Sequence, residues 1–228
     1  MKKVTHRVCL YLFLCLPIIS SSAQNSENLK KKKNFISNLM KKMTLDEKIG
    51  QLYQCSGGGD ITGPNKERIP RTEQISQGYL GSMLNQEEAM KSRLGIPLVF
   101  GLDVLHGYRT GFPIPLAEAA SFDLKAIEEA SHYSATEAAS EGINWTFAPM
   151  VDISWDARWG RVMEGAGEDP FYGALVAKAR VCGLQGDNLS ATNTIMACVK
   201  HFAAYGAPIA GKEYNNVDMS LSHFANFY

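Results

Sequence analysis

Four short apolar runs constrain this chain more than any other feature: Tyr79 to Leu84, Ile96 to Leu102, Ile143 to Ala148 and Ile195 to Val199. Runs this short and this continuous are what strands buried on both faces of a parallel sheet show. Helical stretches lie between the later ones. One spans Leu124 to Glu141 and is ended by Gly142; the other spans Phe171 to Leu184, begins through Pro170 and closes near Gly186. Strands alternating with helices predict right-handed βαβ units and an α/β fold with a parallel sheet.

Three of the four runs lead directly into charged side chains: Asp103 follows Leu102, Asp152 comes soon after Ala148, and Lys200 and His201 follow Val199. In a (β/α)8 barrel the site is built on the C-terminal ends of the strands, so charged groups from separate strands meet at one mouth. A doubly wound open sheet also places its ligand at strand C-termini and remains the alternative architecture. Upstream, Lys30 to Lys33 precede Phe35, Ile36, Leu39, Met40 and Met43 at helical spacing, which predicts a helix with a solvated charged face. Thr44 and Glu47 form a T-x-x-E capping box, so a second helix is expected from Leu45 to about Tyr53, and Cys55 to Pro64, with three consecutive glycines, reads as a loop.

The 228-residue chain is 45% hydrophobic and 20% charged, a balance that supports a packed core. Lys+Arg and Asp+Glu both number 23, so nothing in the charge favours nucleic acid. Lys2, Lys3 and Arg7 precede the apolar run Cys9 to Ile19 and the small residues Ser20 to Ala23, the pattern of a secretory signal peptide over residues 1–23. An uncleaved anchor is the alternative, disfavoured by the short apolar run. Cleavage leaves a formal charge of −3, a periplasmic or secreted product and no membrane attachment. It also leaves Cys55, Cys182 and Cys198, too few and too scattered for a disulfide framework.

Gly206 to Lys212, "GAPIAGK", matches the opening of a phosphate-binding loop, but Glu213 stands where that loop needs a hydroxyl for Mg²⁺, so the segment reads as a glycine-bounded turn. His6, His106, His132, His201 and His223 lack metal-ligand spacing, so no metal and no cofactor is expected. What remains is a candidate site of Asp103, Arg161, Lys200 and His201, with Trp155, Trp159 and Tyr205 nearby. Charged groups that hold several hydroxyls, beside aromatic rings on which a pyranose can rest, suit a sugar.

The stretches "FGLDVLHGYRTGFPIPLAEAASFD" (100–123), "FAPMVDISWDARWGRVMEGAGEDP" (147–170) and "ACVKHFAAYGAPIAGKEYNNVDMS" (197–220) resemble the N-terminal barrel domain of glycoside hydrolase family 3, in its β-glucosidase branch. The resemblance runs from about Leu39 to Tyr228 and implies a (β/α)8 TIM-barrel-like domain across residues 24–228, incomplete in this chain. It implies hydrolysis of terminal non-reducing β-D-glucosyl residues with retention, on a β-glucoside or oligosaccharide substrate. Asp103, Arg161, Lys200 and His201 would hold the glucose ring, Glu213 would stand at the rim, Asp156 and Arg158 would brace a loop, and Glu164, Glu168 and Asp169 would be structural. The family pattern often has proline where Ala157 stands, a departure that touches loop stiffness. The N-acetylglucosaminidase branch resembles K-H-F-P-G-H-G, whereas this chain reads KHFAAYG with Tyr205 at the second histidine, so that branch is the weaker choice.

Retaining glycosidases need two carboxyl groups about 5–5.5 Å apart. By the resemblance, the nucleophilic aspartate and the acid/base glutamate belong to segments beyond residue 228, so no catalytic residue is expected in this chain. A β-xylosidase, a non-catalytic sugar-binding fragment and a Schiff-base aldolase using Lys200 are the alternatives.

Overall fold

The computed structural model describes residues 26–56, 71–84 and 92–228. The expected signal peptide and most of the glycine-rich loop lie outside the described residues. The chain divides into two compact units after Gly50.

The first unit is helical. Helix α1 runs through 26–42 with Lys30 to Lys33 exposed, as the charge run predicts, and Lys31 pairs with Glu27 one turn earlier at 2.8 Å. The capping box closes reciprocally at the start of α2 (Leu45–Gly50): Thr44 N–H donates to Glu47 Oε2 at 2.8 Å, and Glu47 N–H donates to Thr44 Oγ1 at 3.1 Å. Helix α2 stops at Gly50, short of Tyr53.

The second unit carries a four-stranded parallel sheet, β1 (Gln54–Ser56), β2 (Ser82–Leu84), β3 (Val99–Leu102) and β4 (Trp145–Thr146), in spatial order β1-β2-β3-β4. Cys55 pairs with Met83, Met83 with Phe100, and Leu102 with Thr146. Strand β1 corrects the loop expected from Cys55 onward: it is three residues long, too brief for a period to register, and its neighbouring glycines mask it. The run Ile195 to Val199 does continue the parallel order, through bridges Trp145↔Met196 and Met150↔Lys200, but it does not form a regular strand. Nor is it buried throughout: Ile195 is 1% exposed and Val199 57%, because the segment is paired along one edge alone among the described residues.

Strict sequential order without reversal is the winding of a barrel; a doubly wound sheet reverses at its switch point. The helices lie in the expected places and two short ones were not expected: α3 (Arg71–Ser76), α4 (Pro115–Ala120), α5 (Leu124–Ser140), α6 (Pro170–Gln185) and α7 (Leu221–Phe227). Asp123 caps α5 by accepting from Ala126 N–H, Asp169 caps α6 by accepting from Tyr172 N–H, and Ser220 caps α7 through His223 N–H. The core joins Leu80, Met83 and Phe100 of the sheet region to Ala135 and Ala138 of α5 and Leu184 of α6. Helices α5 and α6 touch so closely that a Cβ on Gly183 would come within 2.2 Å of the Glu128 carbonyl oxygen. Cys182 and Cys198 carry no disulfide. Among the described residues no helix is long and apolar enough to cross a membrane.

Candidate functional site

Asp103 stands one residue beyond β3 on a loop fixed at several points. Val104 N–H donates to Thr146 Oγ1 at 2.9 Å, and Thr146 is fully buried in β4. Gly107 bridges to Gly111 with φ 115°, and any Cβ there would meet the Thr110 carbonyl oxygen at 1.9 Å, so this turn requires glycine. His106 Nδ1 lies 3.2 Å from the Phe112 carbonyl, a contact within the same loop. Farther along, Arg109 pairs with Glu141 at 2.7 Å and Thr110 Oγ1 donates to Glu137 at 2.6 Å, tying the loop to α5.

The Lys200–His201 segment is laid on residues 149–152. Lys200 N–H donates to the Pro149 carbonyl at 3.1 Å and Val151 N–H donates to the Lys200 carbonyl at 2.7 Å. This register brings Lys200 Nζ to 2.8 Å from Asp103 Oδ1, a contact between residues 97 apart in sequence, with the lysine side chain 15% exposed and the aspartate 52%. His201 Nδ1 lies 2.7 Å from Asp152 Oδ2, and Asp152 is almost wholly buried.

Arg161 grips Glu164 with two parallel bonds, Nε to Oε1 at 2.8 Å and Nη2 to Oε2 at 2.7 Å. That bond holds the Glu164 carboxyl below its usual range and pushes the guanidinium above its own. Glu164 also lies within electrostatic reach of Lys200 and His201. Tyr205 joins the group: its ring lies 5.5 Å from the Arg161 guanidinium carbon and packs edge-on against His201 at 4.6 Å and Trp159 at 5.3 Å. Its hydroxyl donates to Glu213, and burial, followed by that carboxylate, pushes it up to about 12, so it stays a neutral donor at physiological pH.

The structure thus places Asp103 against Lys200 directly, and links His201 to Arg161 through the Tyr205 ring. Glu164 is the structural turn residue that was expected, in the short turn 162–164 and paired with Arg161, and it also lies within electrostatic reach of Lys200 and His201. Sequence reasoning left Asp152 outside the candidate site, although a lone carboxylate within the apolar "MVDI" stretch was a signal of a buried, partnered charge. Asp156 and Arg158 do brace the loop, through a bidentate pair at 2.7–3.2 Å that lowers Asp156 to about 2. Glu168 and Asp169 are structural as well: the Glu168 carbonyl accepts from Trp155 Nε1 at 2.9 Å, and Asp169 caps α6. Trp155 itself packs against His223 and Phe227 of α7. Among the described residues no cluster suits a metal ion.

Sequentially ordered parallel strands with charged side chains gathered at their C-terminal ends define an α/β protein of the (β/α)8-barrel class. The chain belongs to glycosyl hydrolase family 3: residues 44–228 match that family's N terminal domain. It is 45% identical over 205 residues to the periplasmic beta-glucosidase of Salmonella typhimurium, covering 85% of this chain and 26% of that protein. The crystal structure of beta-glucosidase from Listeria innocua in complex with glucose is 42% identical with a TM-score of 0.72, covering 86% of this chain and 30% of the other. A beta-xylosidase of Formosa agariphila is 29% identical, covering 91% of this chain and 26% of that protein. The chain therefore spans about a quarter of the length of the curated relatives it matches.

Proposed function

We propose that this chain is the sugar-holding part of a retaining β-glucosidase that releases terminal non-reducing β-D-glucosyl residues. Asp103, Arg161, Lys200 and His201 hold the glucose ring, and Glu213, carried by the Tyr205 hydroxyl, stands at the rim. The observation that carries the reading is the Asp103–Lys200 pair at 2.8 Å. It sets an acceptor carboxylate beside a donor ammonium on one rim, and adjacent hydroxyls of a pyranose each donate and accept. By the resemblance to glycoside hydrolase family 3, the nucleophile and the acid/base come from segments of the longer protein outside residues 24–228, of which this chain spans about a quarter. Residues 1–23 are a leader that sends the protein to the periplasm or outside the cell, and residues 24–228 form part of the barrel.

Lys200 donates into an ion pair and does not stand as a free amine, which disfavours the Schiff-base alternative. A β-xyloside is the second reading, favoured by the likeness to the Formosa agariphila protein. Competition between glucose and xylose for the same binding isotherm separates the two sugars. For the main proposal, the chain alone is expected to bind glucose while turning over an aryl β-glucoside no faster than buffer. Robust turnover by residues 24–228 alone would show that the catalytic carboxylates lie within them and overturn the division of labour.

A further inference from the structure

Asp152 is a costly residue to place where it stands. Its carboxylate is about 1% exposed, and an anion taken from water needs compensating hydrogen bonds. Yet Oδ1 is buried with no hydrogen-bond partner, and both bonds that the carboxylate makes among the described residues go to one residue: His201 N–H at 3.1 Å and His201 Nδ1 at 2.7 Å, each to Oδ2. Burial, and after it the Asp152 charge, pushes the Tyr228 hydroxyl up, but Oδ1 takes no hydrogen bond from it. No Arg or Lys pairs with Asp152 among the described ion pairs.

We infer that Asp152 is a positioning residue that fixes the tautomer and the orientation of His201, so that Nε2 is the ring atom presented to the ligand. An ionised carboxylate only accepts, so the nitrogen facing it must be Nδ1–H. The backbone N–H of the same histidine bonds the same oxygen and so fixes the carboxylate against the His201 backbone, and a ring turned over to offer Nδ1 outward would lose its bond to that oxygen. Tyr205 packs edge-on against the ring at 4.6 Å and Gly206 lies on the segment below: a Cβ there would meet the Ile153 carbonyl oxygen at 2.2 Å and the Asp152 Cβ at 3.3 Å. The consequence for binding rests on the sugar-site reading: with a neutral ring, the hydroxyl that meets His201 must donate its proton to Nε2, leaving its oxygen to accept from a neighbouring donor.

The test is long-range ¹H–¹⁵N correlation on the chain labelled with ¹⁵N-histidine, with His201→Gln used to assign the signal. His201 is expected as the Nδ1–H tautomer when neutral, which places the proton at the carboxylate. Asp152→Ala is expected to shift the neutral ring toward Nε2–H and to weaken glucose binding about tenfold. Asp152→Asn should restore the wild-type tautomer, because the His201 backbone N–H forces the amide oxygen, not its NH₂, to face the ring. A neutral Nε2–H ring in the unaltered chain, or an unchanged tautomer in Asp152→Ala, overturns the inference. The first of these outcomes is read without any variant, so it decides the matter even if Asp152→Ala fails to fold. Glucose that leaves the His201 signals unmoved counts against the sugar site while leaving the tautomer result in place.

Discussion

Asp103→Ala is expected to lower glucose affinity by roughly a hundredfold, about 3 kcal/mol, the loss of one or two charge-assisted hydrogen bonds. Two effects act together. The ring loses the acceptor for its hydroxyls, and Lys200, whose side chain is only 15% exposed, loses the carboxylate at 2.8 Å that offsets its charge. Lys200→Ala should weaken binding too, but the double substitution should be little worse than Asp103→Ala alone, since each single change leaves the other charge stranded. Titration calorimetry reads all three, with circular dichroism confirming the fold. Binding of Asp103→Ala within threefold of the unaltered chain contradicts the assignment of the ring to this carboxylate.

The largest stability effect is expected away from the site, at the Glu118–Arg180 pair between α4 and α6. Both side chains are 8% exposed, and Arg180 Nη1 also donates to the Leu105 carbonyl at 3.0 Å, two residues beyond Asp103. Burial raises the Glu118 pKa above its ordinary 4.5 although Arg180 opposes the shift, and burial lowers Arg180 although Glu118 opposes it. Neither charge therefore regains from its partner all that it lost on leaving water. Removing one alone strands the other, so Glu118→Ala or Arg180→Ala should cost about 3–5 kcal/mol in urea unfolding. Replacing both with Leu and Met should cost only about 1 kcal/mol, the lost bond to Leu105. The sign of the pH effect follows from the raised carboxyl: folded Glu118 holds its proton more tightly than unfolded, so its contribution favours folding at low pH and declines as pH rises through 4.5 and above. Glu118→Ala should flatten that part of the stability curve. Equal losses in the single and double variants would contradict this account.

The sheet and the long helices were legible because their signals are local. Asp123 and Asp169 cap α5 and α6, and the apolar runs Ile96 to Leu102 and Ile143 to Ala148 contain β3 and β4. What sequence reasoning lost was short or paired at a distance. Strand β1 has three residues, and α3 and α4 have six each, below the length at which a period can be read. The site shows the same division. That Asp103 and the Lys200–His201 pair would come near one another was legible because both follow apolar runs, and barrel geometry sends such residues to one mouth. Asp152 was seen at its strand end but not as the partner of His201, because a contact 49 residues apart leaves no spacing to read. Glu164 was legible as structural because its bond to Arg161 is local, and its electrostatic reach to Lys200 and His201 arises only with the fold.

The measurement that bears most directly on the central claim is a crystal structure of the chain soaked with glucose. The account predicts one pyranose at the strand ends, with hydroxyls about 2.7–3.2 Å from the Asp103 carboxylate, Lys200 Nζ and His201 Nε2 together. A sugar bound elsewhere, or a saturated crystal in which Asp103 and Lys200 remain paired only to each other, would contradict it.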